Sequence, residues 1–208
     1  MLELDPETMA SWPTLDGRLA AAVEIGHSWD FDAEHAFQVG RLALRIHDQL
    51  QYRHRRGQQC RELLMCAAVL HDVGLKNDPE DHHRRSRDII MQSDLRGFST
   101  RERAIVAEVA RYHQGTPPTL QHEGFAGLHP ADREIVRRLA GVLRVADGLD
   151  QSHSTVVEDV RLRPGRNPVP MTLITRNDAD AEVMAALKVS DLFETIYGPL
   201  AIEISHGS

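Results

Sequence analysis

Cysteine is almost missing from this chain: its 208 residues include only Cys60 and Cys66. The two fall six positions apart in one predicted helix, which turns their side chains to different sides, so no bridge between them is expected. Buried thiols in a reducing compartment are the expectation. Also missing is any apolar run of about 18 residues, the length that crosses a bilayer. Residues 1–13 carry Glu3, Asp5 and Glu7 and lack the basic segment and apolar stretch of a secretory signal. The cytoplasm is the expected location, with no membrane partner. Nor is there an excess of positive charge. With a formal net charge of -7, the chain is not expected to coat nucleic acid. A small anionic substrate would have to be met by local positive charge or by a metal. Internal repeats and low-complexity tracts are absent as well.

The length suits one large domain, or one domain with an appended lobe, and can bury a core without disulfides. Up to residue 153 the apolar residues recur with helical period, enough for six or seven helices. Segments 16–25, 32–51, 58–71, 81–93, 99–112 and 130–150 are read as helical. Asp32 is a candidate N-cap, Ser99 and Glu102 form a capping box, and Pro130 suits a first helical turn. From residue 154 the character changes. A β-branched run over 155–162, a Pro/Gly/Asn-rich turn over 164–168 and a second run over 171–175 read as two strands. Segment 178–197 reads as one helix, with Val183, Ala186, Leu187, Leu192 and Phe193 inward and Gly198-Pro199 as its stop. Segment 200–204 reads as a last strand. The expected architecture is mainly α: a helical body over 1–153 and a small α+β lobe (β-β-α-β) over 154–208.

Three polar groups interrupt apolar stripes. His35 precedes Val39, Leu42 and Ile46 at spacings of four, seven and eleven, which is one helix face. Leu64, Ala67 and Ala68 lead to His71, with Asp72 beside it. Leu139, Ala140 and Leu143 lead to Asp147. A buried carboxylate needs a partner, because an uncompensated interior charge costs several kcal/mol. Two imidazoles and two carboxylates on three inward stripes supply it by enclosing a cation. This nitrogen and oxygen set suits one divalent ion such as Mn, Fe, Co, Ni or Zn, with Mg less favoured. Such an ion polarises a phosphoryl group and acidifies bound water. Taken singly, each residue has a plainer reading. A lone inward His is a hydrogen-bonded core residue, Asp72 is a local cap, and Asp147 pairs with Arg144 or Arg138.

The string Ala67-Ala68-Val69-Leu70-His71-Asp72-Val73-Gly74 resembles the central motif of the HD superfamily of metal-dependent phosphohydrolases. His35, His71, Asp72 and Asp147 match that superfamily's four metal ligands in order. A closer resemblance, over roughly residues 30–205, is to the C-terminal region of the exopolyphosphatase / guanosine pentaphosphate phosphohydrolase family. It is carried by Asp81-His82-His83-Arg84-Arg85-Ser86, Ser93-Asp94-Leu95-Arg96-Gly97-Phe98-Ser99, Ala110-Arg111-Tyr112-His113, Ala146-Asp147-Gly148-Leu149-Asp150-Gln151-Ser152-His153-Ser154 and Lys188-Val189-Ser190-Asp191-Leu192-Phe193-Glu194. The likeness is to the helical part and its small lobe. It does not extend to the actin-like domains that carry polyphosphate hydrolysis, so that active site is not implied.

The resemblance implies an HD-type helical bundle and hydrolysis of a phosphate ester of a nucleotide or another small phosphorylated molecule. Asp72 and His113 are the candidate proton-handling residues. Lys76, His82, His83, Arg85 and Arg144 are the candidate substrate contacts. Many relatives carry a histidine where Arg85 stands, and a guanidinium cannot ligate, so one metal is expected rather than two. His82, His83 and His113 read equally as exposed loop histidines, and Lys76 as a solvated charge. Arg53-His54-Arg55-Arg56 reads as a solvated turn, with contact to an anionic polymer or nucleotide as its other reading. Ser152-His153-Ser154 joins body to lobe, with a structural or interface role. The other functional class is a non-catalytic module that binds a guanosine polyphosphate, polyphosphate or RNA. Homodimerisation through the lobe's sheet edge or an apolar helix face stays open.

Overall fold

The computed structural model describes residues 17–50 and 57–206. The readings placed on residues 1–16, on Gln51 and on the basic cluster Arg53–Arg56 lie outside the described residues. The body consists of α1 (Gly17–Ser28), α2 (Ala33–Leu50), α3 (Gly57–Leu70), α4 (His82–Gln92), α5 (Thr100–Arg111), the single turn α6 (Glu123–Ala126) and α7 (Pro130–Gly148). The lobe follows as β1 (Val157–Leu162), β2 (Val169–Thr175), α8 (Asp180–Lys188), α9 (Asp191–Tyr197) and β3 (Leu200–His206). The molecule is thus a mainly helical bundle with a small three-stranded sheet.

Local chemistry sets the helix starts. The Asp32 carboxylate accepts the His35 N–H at 3.1 Å, which satisfies an otherwise orphaned donor of α2. At α5, Ser99 and Glu102 exchange side-chain and main-chain bonds in a capping box, and at α7, Pro130 follows the N-cap His129. The stripes Val39-Leu42-Ile46, Leu64-Ala67-Ala68 and Leu139-Ala140-Leu143 are all buried, and one apolar cluster runs through body and lobe. Cys60 and Cys66 are buried thiols within it.

The sheet order is β1-β2-β3, with β1–β2 antiparallel and β2–β3 parallel. Residues Val169, Met171, Leu173 and Thr175 alternate inward along β2, the two-residue period of a half-buried strand. Side chains of α2 cover the outer edge of β1. Gln38 Nε2 donates to the Val157 carbonyl at 2.6 Å. Gln49 donates to Val160 O at 3.0 Å and accepts the Leu162 N–H at 2.8 Å. Edge groups left open would otherwise seek another strand. The helix that carries His35 therefore also pins the outer edge of β1.

The lobe differs from expectation at 178–197, which forms two helices rather than one. The Val189 carbonyl accepts from Arg144 Nε at 3.0 Å instead of from the next helical turn. Ser190 Oγ lies 2.9 Å from both Leu187 O and Glu194 Oε1, with its one proton shared between these acceptors. The break lays both halves on α7. Gly148 meets the α8 backbone so closely that a Cβ there would lie 2.6 Å from Ala186 Cα. It also turns Leu187, expected inward, to the surface at 40% exposure, while Ala186, Leu192 and Phe193 are buried.

Candidate metal centre

Five helix ends meet at one point, each bringing a ring or a carboxylate. His35 comes from the first turn of α2, His71 and Asp72 from the end of α3, His82 from the start of α4, His113 from just beyond α5, and Asp147 from the last turn of α7. The turn after α3 can approach α4 because residue 74 is glycine: a Cβ there would lie 2.6 Å from His82 O and 2.7 Å from Ser86 N. The Gly74 N–H donates to the buried Ser86 hydroxyl at 3.0 Å, locking the two segments together.

Each imidazole is held by its Nδ1. His71, His82 and His113 use the same device, a bond to the carbonyl three residues back: Ala68 at 2.7 Å, Pro79 at 3.0 Å and Ala110 at 2.7 Å. At α3 and α5 these carbonyls lie in the last turn, where helical N–H partners run out. A carbonyl only accepts, so Nδ1 carries the proton and Nε2 faces the centre. The Nδ1 of His35 instead meets Asp150 Oδ2 at 2.8 Å. This outward anchoring of the far nitrogen is the arrangement that orients a histidine toward a metal.

The facing atoms crowd together at distances longer than close hydrogen bonds. Asp147 Oδ1 lies 3.3 Å from His35 Nε2 and 3.4 Å from His71 Nε2. Asp72 Oδ2 lies 3.5 Å from His71 Nε2, and its Oδ1 lies 3.4 Å from His82 Nε2 and 3.3 Å from His113 Nε2. Yet the buried His35 Nε2, His71 Nε2 and Asp72 Oδ1 have no hydrogen-bond partner. Buried polar atoms are rarely left so; a cation between His35, His71 and Asp147 would satisfy the two nitrogens, while Asp72 Oδ1 faces His82 and His113. Two groups have ligand atoms within 4.8 Å of one another: His35-His71-Asp147 and His71-Asp72-His113. Both histidine rings of the first group are buried, while Asp72 and Asp147 keep 18% and 28% of their side chains in solvent.

The electrostatics follow from this crowding. Burial pulls the His35 imidazole toward neutrality, but Asp147 and Asp150 outweigh it and hold its pKa at about 10. Burial would likewise raise Asp72 and Asp147. The neighbouring histidines, His71 and His113 for Asp72 and His35 and His71 for Asp147, hold both carboxyls below their usual range. Neither residue follows its plainer reading: Asp72 turns to three imidazoles, and Asp147 turns to His35 and His71.

The remaining expected residues divide. His82 and His113 reach the centre and bring their Nε2 atoms within 3.2 Å of each other. The half-buried His83 packs on His82 with ring centroids 5.8 Å apart. Burial, with His113 and His82 nearby, pushes its pKa down to about 4. Lys76 is exposed and paired with Asp30. Arg85 lies against the Gly74 turn with its guanidinium 5.5 Å from the Trp29 ring. Arg144, expected at the phosphate, is instead a buried tie. Its nitrogens hold Val189 O, Tyr112 O and Gly115 O at 3.0, 3.3 and 2.9 Å and Asp191 at 3.1 Å.

Two further neighbours adjoin the centre: Asp150, to which no separate role was assigned from the residues, and His153, read as part of the body–lobe joint. Asp150 sits one turn beyond Asp147, a spacing that places it on the same side. His153 stacks on His35 at 3.8 Å and 7° and meets Asp32 at 2.9 Å. Nothing in the local pattern signals that second contact. In a comparison with known families, residues 18–180 match Ppx/GppA phosphatase, domain III.

Proposed function

This chain belongs to the Ppx/GppA phosphatase domain III family, and on that premise we propose that it is a phosphohydrolase of the HD type. It holds a divalent cation through His35, His71, Asp72 and Asp147 and cleaves a phosphate ester of a nucleotide or another small phosphorylated molecule. The observation that carries this reading is the pair of partnerless buried nitrogens, His35 Nε2 and His71 Nε2, that face Asp147 Oδ1 at 3.3 and 3.4 Å, with the partnerless Asp72 Oδ1 next to them facing His82 and His113. The mixed nitrogen and oxygen donor set fits Mn, Fe, Co, Ni or Zn better than Mg.

A divalent ion in such a site polarises a phosphoryl group and acidifies water. The chain supplies the rest. Asp72 faces the centre with one oxygen and the His82–His113 pair with the other. A proton taken up at Asp72 Oδ1 therefore has two imidazole nitrogens within 3.4 Å to receive it. Arg85, beside the Gly74 turn, is the cation that meets the phosphate. Lys76 would have to leave Asp30 to do so.

The test is an assay of the metal-reconstituted protein across nucleotides and phosphomonoesters, with Asp72→Ala as control. Turnover lost in Asp72→Ala supports the proposal. Turnover undiminished by that substitution, or absent with every ion, refutes it. Binding of a guanosine polyphosphate or polyphosphate without turnover would give the chain the role of a binding module. One observation favours a second ion: two Nε2 atoms 3.2 Å apart, from rings whose Nδ1 protons are both committed to carbonyls. Elemental analysis separates one ion per chain from two.

A further inference from the structure

His35 differs from the other histidines of the centre in what holds it. Those three give their Nδ1 protons to neutral carbonyls, whereas His35 gives its own to a carboxylate that is 0% exposed. Asp150 has both oxygens engaged. Oδ2 accepts from His35 Nδ1 at 2.8 Å, and Oδ1 accepts the Thr155 N–H at 2.9 Å. Thr155 has φ of 49°, a left-handed conformation that a β-branched residue adopts only when its surroundings impose it. Thr155 also opens the segment that leads to β1. The opposite constraint on the ring comes from His153, stacked 3.8 Å away.

We infer that Asp150 is a positioning residue, which fixes the tautomer and direction of His35 and ties that ligand to the start of the lobe through Thr155. The inference rests on the reading of His35 as a metal ligand. With Nδ1–H committed to a carboxylate, Nε2 is the nitrogen that ligates once an incoming cation displaces its proton, and the negative partner makes that nitrogen a stronger donor. Asparagine is nearly isosteric with Asp150 but cannot replace it. One of its two positions is an NH2 donor, and both positions here must accept. If the donor faces His35, the ring proton moves to Nε2 and blocks ligation. If it faces Thr155, the lobe connection loses its anchor.

The experiment measures Mn2+ affinity by calorimetry in the full chain, in Asp150→Asn, in His35→Ala and in the double variant. It is accompanied by 15N spectra of the histidine rings in metal-free protein. Asp150→Asn is expected to weaken Mn2+ binding about 10–100-fold and to add nothing on the His35→Ala background. It is also expected to remove or shift the His35 Nδ1 proton signal while that of His71 stays. An affinity within about twofold of the parent, or an equal loss on both backgrounds, overturns the inference. If the parent chain binds no Mn2+, the metal reading fails. The ring spectrum then decides this inference alone: an Nδ1 signal unchanged by Asp150→Asn refutes it. Should Asp150→Asn not fold, the parent spectrum serves, since a carboxylate-bonded Nδ1 proton lies downfield of the three carbonyl-bonded ones.

Discussion

His82 and His113 approach each other to 3.2 Å through their Nε2 atoms, although each ring gives its Nδ1 proton to a main-chain carbonyl. Two lone pairs at that distance repel unless a proton or a cation lies between them. Asp72 Oδ1 lies 3.3 Å from one ring and 3.4 Å from the other, so the three groups form one cluster, the proton-handling unit of the proposed mechanism.

Replacing one ring of this unit tests it. His113→Ala keeps the side chains of His35, His71, Asp72 and Asp147, although it removes the ring packed edge-on against His71 at 4.7 Å. We expect a fall of about 100-fold or more in kcat/KM on the best substrate, with Mn2+ affinity changed only a few-fold. Steady-state kinetics and calorimetry on one preparation check it, and an undiminished rate would remove the unit from the mechanism.

Chelation tests the centre through stability. A ligand that binds only the folded chain at about 100 times its Kd adds about 2.7 kcal/mol. For a chain of this size that corresponds to a Tm shift of roughly 5–10 °C. Thermal unfolding with and without EDTA should show that drop in the parent protein and almost none in the His71→Ala variant.

Acid stability should depend on Glu102. Burial would raise its carboxyl. The Ser99 N–H, the Arg18 guanidinium at 2.7 Å and Gln59 outweigh that and hold its pKa at about 2, against an ordinary 4.5. A depressed folded-state pKa gives stability that is present above about 4.5 and lost as pH falls toward about 2. Denaturant unfolding from pH 6 to 2 should therefore decline less steeply in Glu102→Gln, which starts from a lower plateau. Parallel curves would exclude this residue as the cause.

Arg144→Ala should destabilise the metal-free protein by about 2–4 kcal/mol, because three carbonyls and Asp191 lose a buried donor together. The loss should appear in urea unfolding with EDTA present. A residue that served only to meet phosphate would leave that curve in place.

Gly148→Ala should cost about 1–3 kcal/mol from overpacking, since the new methyl would lie 2.6 Å from Ala186 Cα and 2.7 Å from its nitrogen. The thermal midpoint reads the effect directly. No change would mean that α8 yields at that contact.

Much of the fold could be read in advance because it is local. The periods of three to four and of two, the Ser99–Glu102 box, Pro130 at the head of α7 and the turn over 164–168 all act within a few residues. Where a long-range contact intervened, the local reading failed. Residues 178–197 carry helical periodicity throughout, yet Arg144, more than forty positions away, takes the Val189 carbonyl and divides the segment. The single turn at Glu123–Ala126 was too short to give a period. Arg144 itself looked like a phosphate contact because it lies one turn before Asp147, but its long side chain leaves the centre for the 112–115 turn.

By itself the sequence determined that His35, His71 and Asp147 face inward, since the side to which a helical residue points is set by its spacing from apolar neighbours. It also determined the helical body and the strands of the lobe. Only the tertiary structure decided which inward groups meet. It brought His82 and His113 to Asp72, gave His35 a buried carboxylate in Asp150 and a stacked ring in His153, and sent Arg144 and Lys76 to other partners. Convergence of distant segments depends on how closely helices approach, and Gly74 and Gly148 set that approach through packing that no local period records.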